Sequence, residues 1–555
     1  MSLVLDFFAN HVATRPQDPC WMSKAAGGQW QTFSFAQADH MVRRVATALA
    51  GQGVTRGQKV VIWANTCMEW VIVDMACWTL GAVSVPIYFN TTPEQAIPIL
   101  ENSGAVLILA EDAERAIEAV QGYRNTIPVL NLRESVGRWV ATPTGQIQEP
   151  IKLLPTDLAS IVYTSGTTGE PKGVELTHGN FAAEVTELAK RFSVPHQYVS
   201  LGFLPLSHIV ARAVQCFQVS QGFVMAFAES IDKVADNLKE VHPQFFVSVP
   251  RIFEKIYTKV FAEISAMPKI VHRLVAWAQK SQSEWVKRLV FRKIFKELGG
   301  CLEFSISGGA PLNPEVAKFF GAIGLEIYEG YGLTETTAAA CLNYPGHNRY
   351  GTVGPVLDSV QIRFDTDGEI LFKGPIVSSG YHNNPIATKE SFTEDGFFRT
   401  GDIGELTPDG YLKITDRKKD LIVTAGGKKV APQPIEQSLL QNPYVSQVFV
   451  YGDRRPYISA LIVPNRQAVE QYAQKMGLKV DSWESMVRSP EVLALFQKVV
   501  DAVNTNLARY ETIKHFHLLP DEFSTQRGEL TPTLKLKRKV VQEHFTAELN
   551  SLYVS

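Results

Sequence analysis

Over residues 1 to about 155 the apolar positions change period repeatedly. Helix-like spacing over 35–52 precedes an apolar run at 59–63, spacing over 69–80 precedes a run at 82–86, and 92–102 precedes 105–110. Helical stretches feeding short apolar runs predict an α/β domain with largely parallel strands. The apolar runs at 158–163 and from Val174 flank a loop, so strand, loop, strand is expected there. Segment 70–89 is long enough to span a bilayer. Asp74 interrupts it, however, and Gly81 and Pro86 split it into a helix-like half and a β-like half. An unpaired acid is costly in lipid, so the segment reads as a buried helix feeding a core strand.

Farther along, Asn180 is placed to cap a helix running to about Arg191. Residues 247–257 give a short strand, a turn and a helix start. Residues 304–312 form a strand entering a glycine-rich turn, with Asn313 or Pro314 starting a helix, and 326–336 repeat the strand-to-loop passage. Both leave small residues at a strand end, where open α/β sheets bind ligands. From about Gly351 the texture changes to short β-like runs with turns at Asp367, Asp395 and Asp409, each followed by glycine, which predicts a β-rich subdomain. The dense charge of 416–420 marks an exposed joint. The expected division is therefore 1–415, a linker at 416–421, and a small α+β domain over 422–555.

At 555 residues more than one domain is required. An apolar fraction of 45% and a charged fraction of 20% describe an ordinary globular protein, and a net charge of −2 gives no general attraction to nucleic acid. The six cysteines show no metal-ligand spacing and suit a reducing compartment. The first residues lack a basic segment followed by a long apolar one, so a cytoplasmic location is expected. One stretch departs from this even texture. Over 269–297, Arg273, Lys280, Lys287, Arg288, Arg292, Lys293 and Lys296 interleave with Leu274, Trp277, Trp285, Leu289, Phe291 and Phe295. A helix of that kind lies on an anionic membrane surface, or is the solvated basic face of an ordinary surface helix.

The chemistry concentrates in YTSGTTGEPKG, 163–173. Glycines let backbone N–H groups approach a ligand closely, Ser165, Thr167 and Thr168 add hydroxyls, and Lys172 adds charge. Such groups hold nucleotide phosphates, though the composition by itself also fits a plain loop. The GxxxxGK[ST] spacing of P-loop NTPases is absent. Tyr331 offers a flat face for a base, Thr334 a phosphate donor, and Glu335 a hard oxygen ligand suited to Mg²⁺. His208, in an apolar setting, reads on its own as a core histidine bonded to a backbone carbonyl.

Taken in order, YTSGTTGEPKG, LPLSHIVAR, VPRIFEKIY, SISGGAPL, YEGYGLTET, TGDIGEL, DRKKDLIVTAGGKKVAP and LTPTLKLKR resemble the adenylate-forming superfamily, most closely its long-chain acyl-CoA synthetases. The resemblance implies a large N-terminal adenylation domain, built from α/β sheets and a β-rich subdomain, with a small mobile C-terminal domain. It implies ATP-dependent activation of a fatty acid to acyl-AMP, then transfer to CoA, with Mg²⁺ as cofactor. Alternatives are a ligase that delivers to a carrier protein, and a catalytically silent fatty-acid-binding or scaffold protein. Long chain length follows from the resemblance alone.

The resemblance also assigns roles. Thr164, Ser165, Gly166, Thr167, Thr168, Gly169 and Lys172 would cradle pyrophosphate, and Gly309, Ala310, Glu329, Gly330 and Tyr331 would line the adenine site. Thr334 would contact the α-phosphate and Glu335 would bind Mg²⁺. Asp402, helped by Arg417, would take the ribose hydroxyls. Lys535 would bridge carboxylate and α-phosphate, with Lys537 a competitor because TLKLKRK departs from the commoner SGKIxRR. His208 would sit where carboxylate and thioester meet. Ala425, Gly426, Gly427, Lys428 and Lys429 would form a strand lining the pantetheine tunnel after rotation about 416–421. Arg212 stands where some relatives carry a tryptophan gate.

Overall fold

The computed structural model describes residues 2–25, 27–122, 126–142, 147–164, 171–265, 275, 277–279, 281, 283–478, 482–524, 526–530 and 536–553. The chain forms two compact units. The first comprises Met1–Arg363, Leu371–Thr400 and Leu406–Lys413, and the second Phe364–Ile370, Gly401–Glu405 and Ile414–Ser555.

Among the described residues, two sheets lie wholly within the first unit. One has six strands in the order Val129–Asn131, Leu107–Ala110, Lys59–Trp63, Val83–Ile87, Leu158–Thr164, Lys172–Thr177. All pairs are parallel except the last. The other runs Cys341–Leu342, Glu326–Tyr331, Phe304–Ser307, Phe245–Ser248, Val199–Gly202, Val224–Phe227, Pro19–Lys24, Trp30–Ser34, with antiparallel pairs only at its two edges. The α/β reading of the apolar runs holds.

Segment 70–89 is a helix and a strand. Helix Met68–Thr79 is buried along nearly its whole length, and strand Val83–Ile87 follows it into the six-stranded sheet. Asp74 is not unpaired: it is fully buried against Arg212 of helix Ile209–Gln221, at 2.7 and 2.8 Å. Among the described residues no helix is long and apolar enough to cross a membrane.

Asn180 does not cap its helix. Helix His178–Arg191 is capped by Thr177, whose hydroxyl accepts from Asn180 N–H, while Asn180 Oδ1 accepts in return from Thr177 N–H. The two form a reciprocal box in which the three-residue spacing matters and the asparagine is its inner member. The Asn180 amide then donates to the carbonyls of Pro375 and Val377.

The β-rich region forms strands Gln361–Phe364, Glu369–Lys373, Phe398–Leu406 and Leu412–Arg417, and the division between the units runs through them. Gly368, Gly396 and Gly410 take φ of 85°, 83° and 86°, as the Asp-Gly turns require. In the second unit, strands Val445–Tyr451, Ile458–Pro464 and Ile513–Leu518 form a sheet, antiparallel then parallel. Residues from helices Pro432–Leu440 and Pro490–Asn504 share its core.

The basic stretch 269–297 falls partly outside the described residues, and its described part is not one helix. Helices Glu284–Val290 and Arg292–Glu297 are separated by Phe291, which leaves helical geometry at φ −94°, ψ 17°. Phe291 and Phe295 point into the core, whereas Trp277, Trp285 and Leu289 are exposed. All six cysteines are free.

His178 makes stability depend on pH. It is buried, its ring edge-on to Trp78, and burial pushes its imidazole down from 6.5 to about 4; Asp157 opposes the shift and Arg212 adds to it. The folded protein therefore binds this proton less readily than the unfolded chain. The associated stability is present above pH 6.5 and is lost as pH falls towards about 4. Between pH 7 and pH 5 the loss is about 2 kcal/mol. Urea unfolding at both pH values is expected to show that loss in the wild type and its absence in His178→Phe. Parallel losses in both proteins contradict it.

Candidate functional site

Strands Leu158–Thr164 and Lys172–Thr177 form a hairpin in which Thr164 lies opposite Lys172. Ser165, Gly166, Thr167, Thr168 and Gly169, which connect them, lie outside the described residues. Lys172 extends its ammonium over the ring of Tyr381, 5.1 Å from the centroid, and the Tyr381 hydroxyl donates to Glu335 Oε1 at 2.8 Å. A cation, a phenol and a carboxylate thus stand in a row. Backbone pairing fixes the middle member: Glu175 N–H donates to Gly380 O at 3.0 Å, and His382 N–H donates to Gly173 O at 2.7 Å. Burial, with the Glu335 charge beside it, pushes the Tyr381 phenol well up, so it stays a donor.

Glu335 lies in a 3₁₀ turn, Thr334–Thr336, on the loop joining the antiparallel strands Glu326–Tyr331 and Cys341–Leu342. The loop folds back on itself at Gly332. A Cβ there would come within 1.6 Å of the Ala338 carbonyl oxygen, so only glycine fits.

Gly309 and Ala310 follow strand Phe304–Ser307, whose Ser307 pairs with Glu329 on the neighbouring parallel strand. Residues 308–310 and 329–331 therefore leave one edge of the sheet together, on the carboxyl side where open sheets bind ligands. Gly309 has φ 82°, and a Cβ there would meet Val249 Cγ1 at 3.9 Å; Ala310 is exposed, and Tyr331 is half-buried with its ring 6.1 Å from Phe372. Glu329 is buried and accepts from Leu312 N–H at 2.9 Å. Burial pushes its carboxyl up to about 8, against the pull of that bond.

His208 departs from the core-histidine reading. It is half-buried and caps helix Ile209–Gln221, its Nδ1 accepting from Val210 N–H at 3.2 Å. With Nδ1 accepting, the neutral ring carries its proton on Nε2.

In the second unit, Asp402 is buried and Arg417 Nε approaches its Oδ1 at 3.0 Å. Lys418 reaches Asp367 at 2.6 Å and Glu369 at 2.9 Å. Residues 425–428 are not a strand. They turn between the two-residue strands Ile422–Val423 and Lys429–Val430, closed by Thr424 N–H to Lys428 O and Gly427 N–H to Thr424 O, with Gly427 at φ 73°. Adjacent glycines favour reversal over extension. Lys535 lies outside the described residues. Lys537 donates its N–H to Glu529 O and precedes helix Arg538–His544.

Sequence reading missed Tyr381. Its available signal was the turn chemistry around it, Gly380 before it and Asn383, Asn384 and Pro385 after, which marks an irregular segment without saying what it meets.

The chain matches the model of the AMP-binding enzyme family over residues 8–382, and that of the AMP-binding enzyme C-terminal domain over 419–555. It is 36% identical over 567 residues to a long-chain-fatty-acid–CoA ligase of Mycobacterium bovis, covering 95% of this chain and 93% of the relative. The adenylation domain of a Mycobacterium chelonae carboxylate reductase superposes with a TM-score of 0.81 at 25% identity, over 100% of this chain and 91% of that one. The Bacillus subtilis O-succinylbenzoate coenzyme A synthetase, solved with ATP and magnesium ion, shares the fold at TM-score 0.71 and 22% identity, over 96% and 98% of the two chains.

Proposed function

The chain belongs to the AMP-binding enzymes, and we propose on that premise that it is a long-chain-fatty-acid–CoA ligase forming acyl-CoA, AMP and pyrophosphate. The observation that carries the reading is the Lys172–Tyr381–Glu335 row, which sets a cation and a carboxylate from two distant segments at one place. The carrier-protein and silent-binder alternatives are not favoured by the relatives.

In the first step a fatty-acid carboxylate oxygen attacks the α-phosphorus of ATP, and the bond to pyrophosphate breaks. Two anions must meet, so the barrier falls as positive charge and aligned donors face the phosphates. Thr164–Lys172 cradle the leaving pyrophosphate, with Lys172 held in place by the Tyr381 ring. Thr334 donates to the α-phosphate. Lys535 bridges the two reacting groups. Gly309, Ala310, Glu329, Gly330 and Tyr331 line the adenine site, and Asp402 with Arg417 holds the ribose. The donor set fits Mg²⁺, which takes one or two carboxylates together with substrate phosphates and water. Glu335 would hold it, and it would supply positive charge against the triphosphate.

In the second step the CoA thiolate attacks the acyl carbon and AMP leaves. His208, with its proton on Nε2, orients the acyl carbonyl by donating to it. Segment 416–421 is the hinge between steps, about which Lys535 withdraws and Ala425, Gly426, Gly427, Lys428 and Lys429 come to line the pantetheine path. Excluding water at that stage protects a reactive mixed anhydride.

The exposed Trp277, Trp285 and Leu289, amid Lys287, Arg288, Arg292 and Lys296, form a peripheral contact for anionic lipid. Partitioning onto phosphatidylglycerol-rich vesicles, read by sedimentation, is expected to fall at least about thirtyfold in Trp285→Ser combined with Lys287→Glu and Arg292→Glu, since each surface cation contributes about 1 kcal/mol and two are lost. Unchanged sedimentation contradicts the contact.

The function is tested by AMP release with ATP, Mg²⁺ and a ladder of fatty acids from short to very long, each with and without CoA. Long acids are expected to turn over only with CoA. Silence across the ladder, or turnover confined to short acids, contradicts the reading.

A further inference from the structure

Glu184, on helix His178–Arg191, is fully buried, yet none of the roles above uses it. Its Oε1 accepts from Ala339 N–H at 2.9 Å, and Oε2 is buried with no hydrogen-bond partner among the described residues. Ala339 lies on the return leg of the Glu335 loop. The two residues before it, Thr337 and Ala338, have φ of 57° and 105°, where side-chain-bearing residues are strained. Such a conformation persists only where its surroundings over-determine it. Backbone bonds from Thr337 N–H to Thr334 O and from Ala338 N–H to Leu333 O hold it locally, and three further contacts tie it down. Thr337 Oγ1 donates to Ile376 O at 2.6 Å, the Ala338 carbonyl fills the space left by the missing side chain of Gly332, and Glu184 takes the Ala339 N–H. Of the three, only Glu184 reaches the loop from the helix that continues directly from the strand of Lys172.

Resting on the ligase reading above, we propose that Glu184 is a positioning residue for adenylation: through Ala339 it fixes the strained leg of the 332–340 loop to the helix behind Lys172, and so sets where Thr334 and Glu335 face the nucleotide. Burial pushes its carboxyl well above the ordinary carboxylate range, and glutamine reproduces both its shape and its Oε1 acceptor. Leucine keeps the volume and removes the acceptor.

The half-reactions separate this role from simple structural support. In Glu184→Leu, single-turnover adenylation is expected to slow about 10- to 100-fold, the cost of a small misplacement of reacting groups. The Mg-ATP concentration for half-saturation rises, while thiolysis of supplied acyl-AMP by CoA is unchanged. Glu184→Gln retains both half-reactions. Equal losses in the two variants, or equal slowing of both half-reactions, overturn the proposal. Should Glu184→Leu fail to fold, Glu184→Asp, whose acceptor is one methylene short, must show a selective adenylation loss, and none overturns it. If the wild type adenylates no acid, the ligase reading fails instead. Glu184 is then tested by Mg-ATP calorimetry, where weaker binding in Glu184→Leu than in Glu184→Gln supports it and equal or absent binding overturns it.

Discussion

Arg212→Ala destabilises the protein by about 3–5 kcal/mol, because it strands a buried carboxylate. Arg212 and Asp74 are both fully buried. The guanidinium also donates to Ser160 Oγ at 2.5 Å and Ser84 Oγ at 3.3 Å, and lies 5.2–5.6 Å from the ring centroids of Trp70, Trp78 and Phe181. Burial raises the Asp74 pKa even against the pull of Arg212. Without the arginine, Asp74 must take up a proton or remain charged in an apolar site. The pair as a whole is a weak stabiliser, however, since both ions are desolvated. Asp74→Leu with Arg212→Met is expected to recover most of the loss, giving a large coupling in a double-mutant cycle read by urea unfolding. A single substitution costing under about 1 kcal/mol contradicts this account. Through Ser84 and Ser160 the same side chain joins helix Ile209–Gln221 to the six-stranded sheet.

Lys535→Ala lowers adenylation about 10²- to 10³-fold, the usual consequence of removing a charge aimed at the transition state. Thiolysis of supplied acyl-AMP by CoA remains intact. Lys537→Ala leaves both half-reactions within about threefold, a change small beside the loss of a transition-state contact. The Lys537 backbone is tied to Glu529 O at the start of helix Arg538–His544. Single-turnover formation and consumption of acyl-AMP distinguishes them. A larger adenylation loss in Lys537→Ala would move the bridging role to that residue.

Local signals in the chain proved readable where local physics decides. Apolar runs gave the parallel strands, and Asp-Gly pairs gave turns at Gly368, Gly396 and Gly410. Asn313 caps helix Pro314–Ala322, as its place before proline suggests. Asn180 is the inner member of a capping box, not the cap, because the box uses two polar residues and only the fold shows which ends the helix. The resemblance places Ala425–Lys429 in a strand, but the paired glycines turn 425–428. What was not readable joins distant segments. Asp74 finds Arg212 across 138 residues, Tyr381 finds Glu335 across 46, and Glu184 finds Ala339 across 155. None of these has a periodicity or spacing, since each partner is set by the sheet order and not by its neighbours in sequence.

The central claim is that this chain makes acyl-CoA by way of acyl-AMP. Its most direct test incubates the protein with ATP, Mg²⁺ and a labelled long-chain fatty acid without CoA, follows enzyme-bound products by mass spectrometry, and then adds CoA. One acyl-AMP and one pyrophosphate per active site are expected, followed on CoA addition by acyl-CoA and AMP in equal amounts. Absence of acyl-AMP, or release of ADP and phosphate in place of AMP and pyrophosphate, would contradict it.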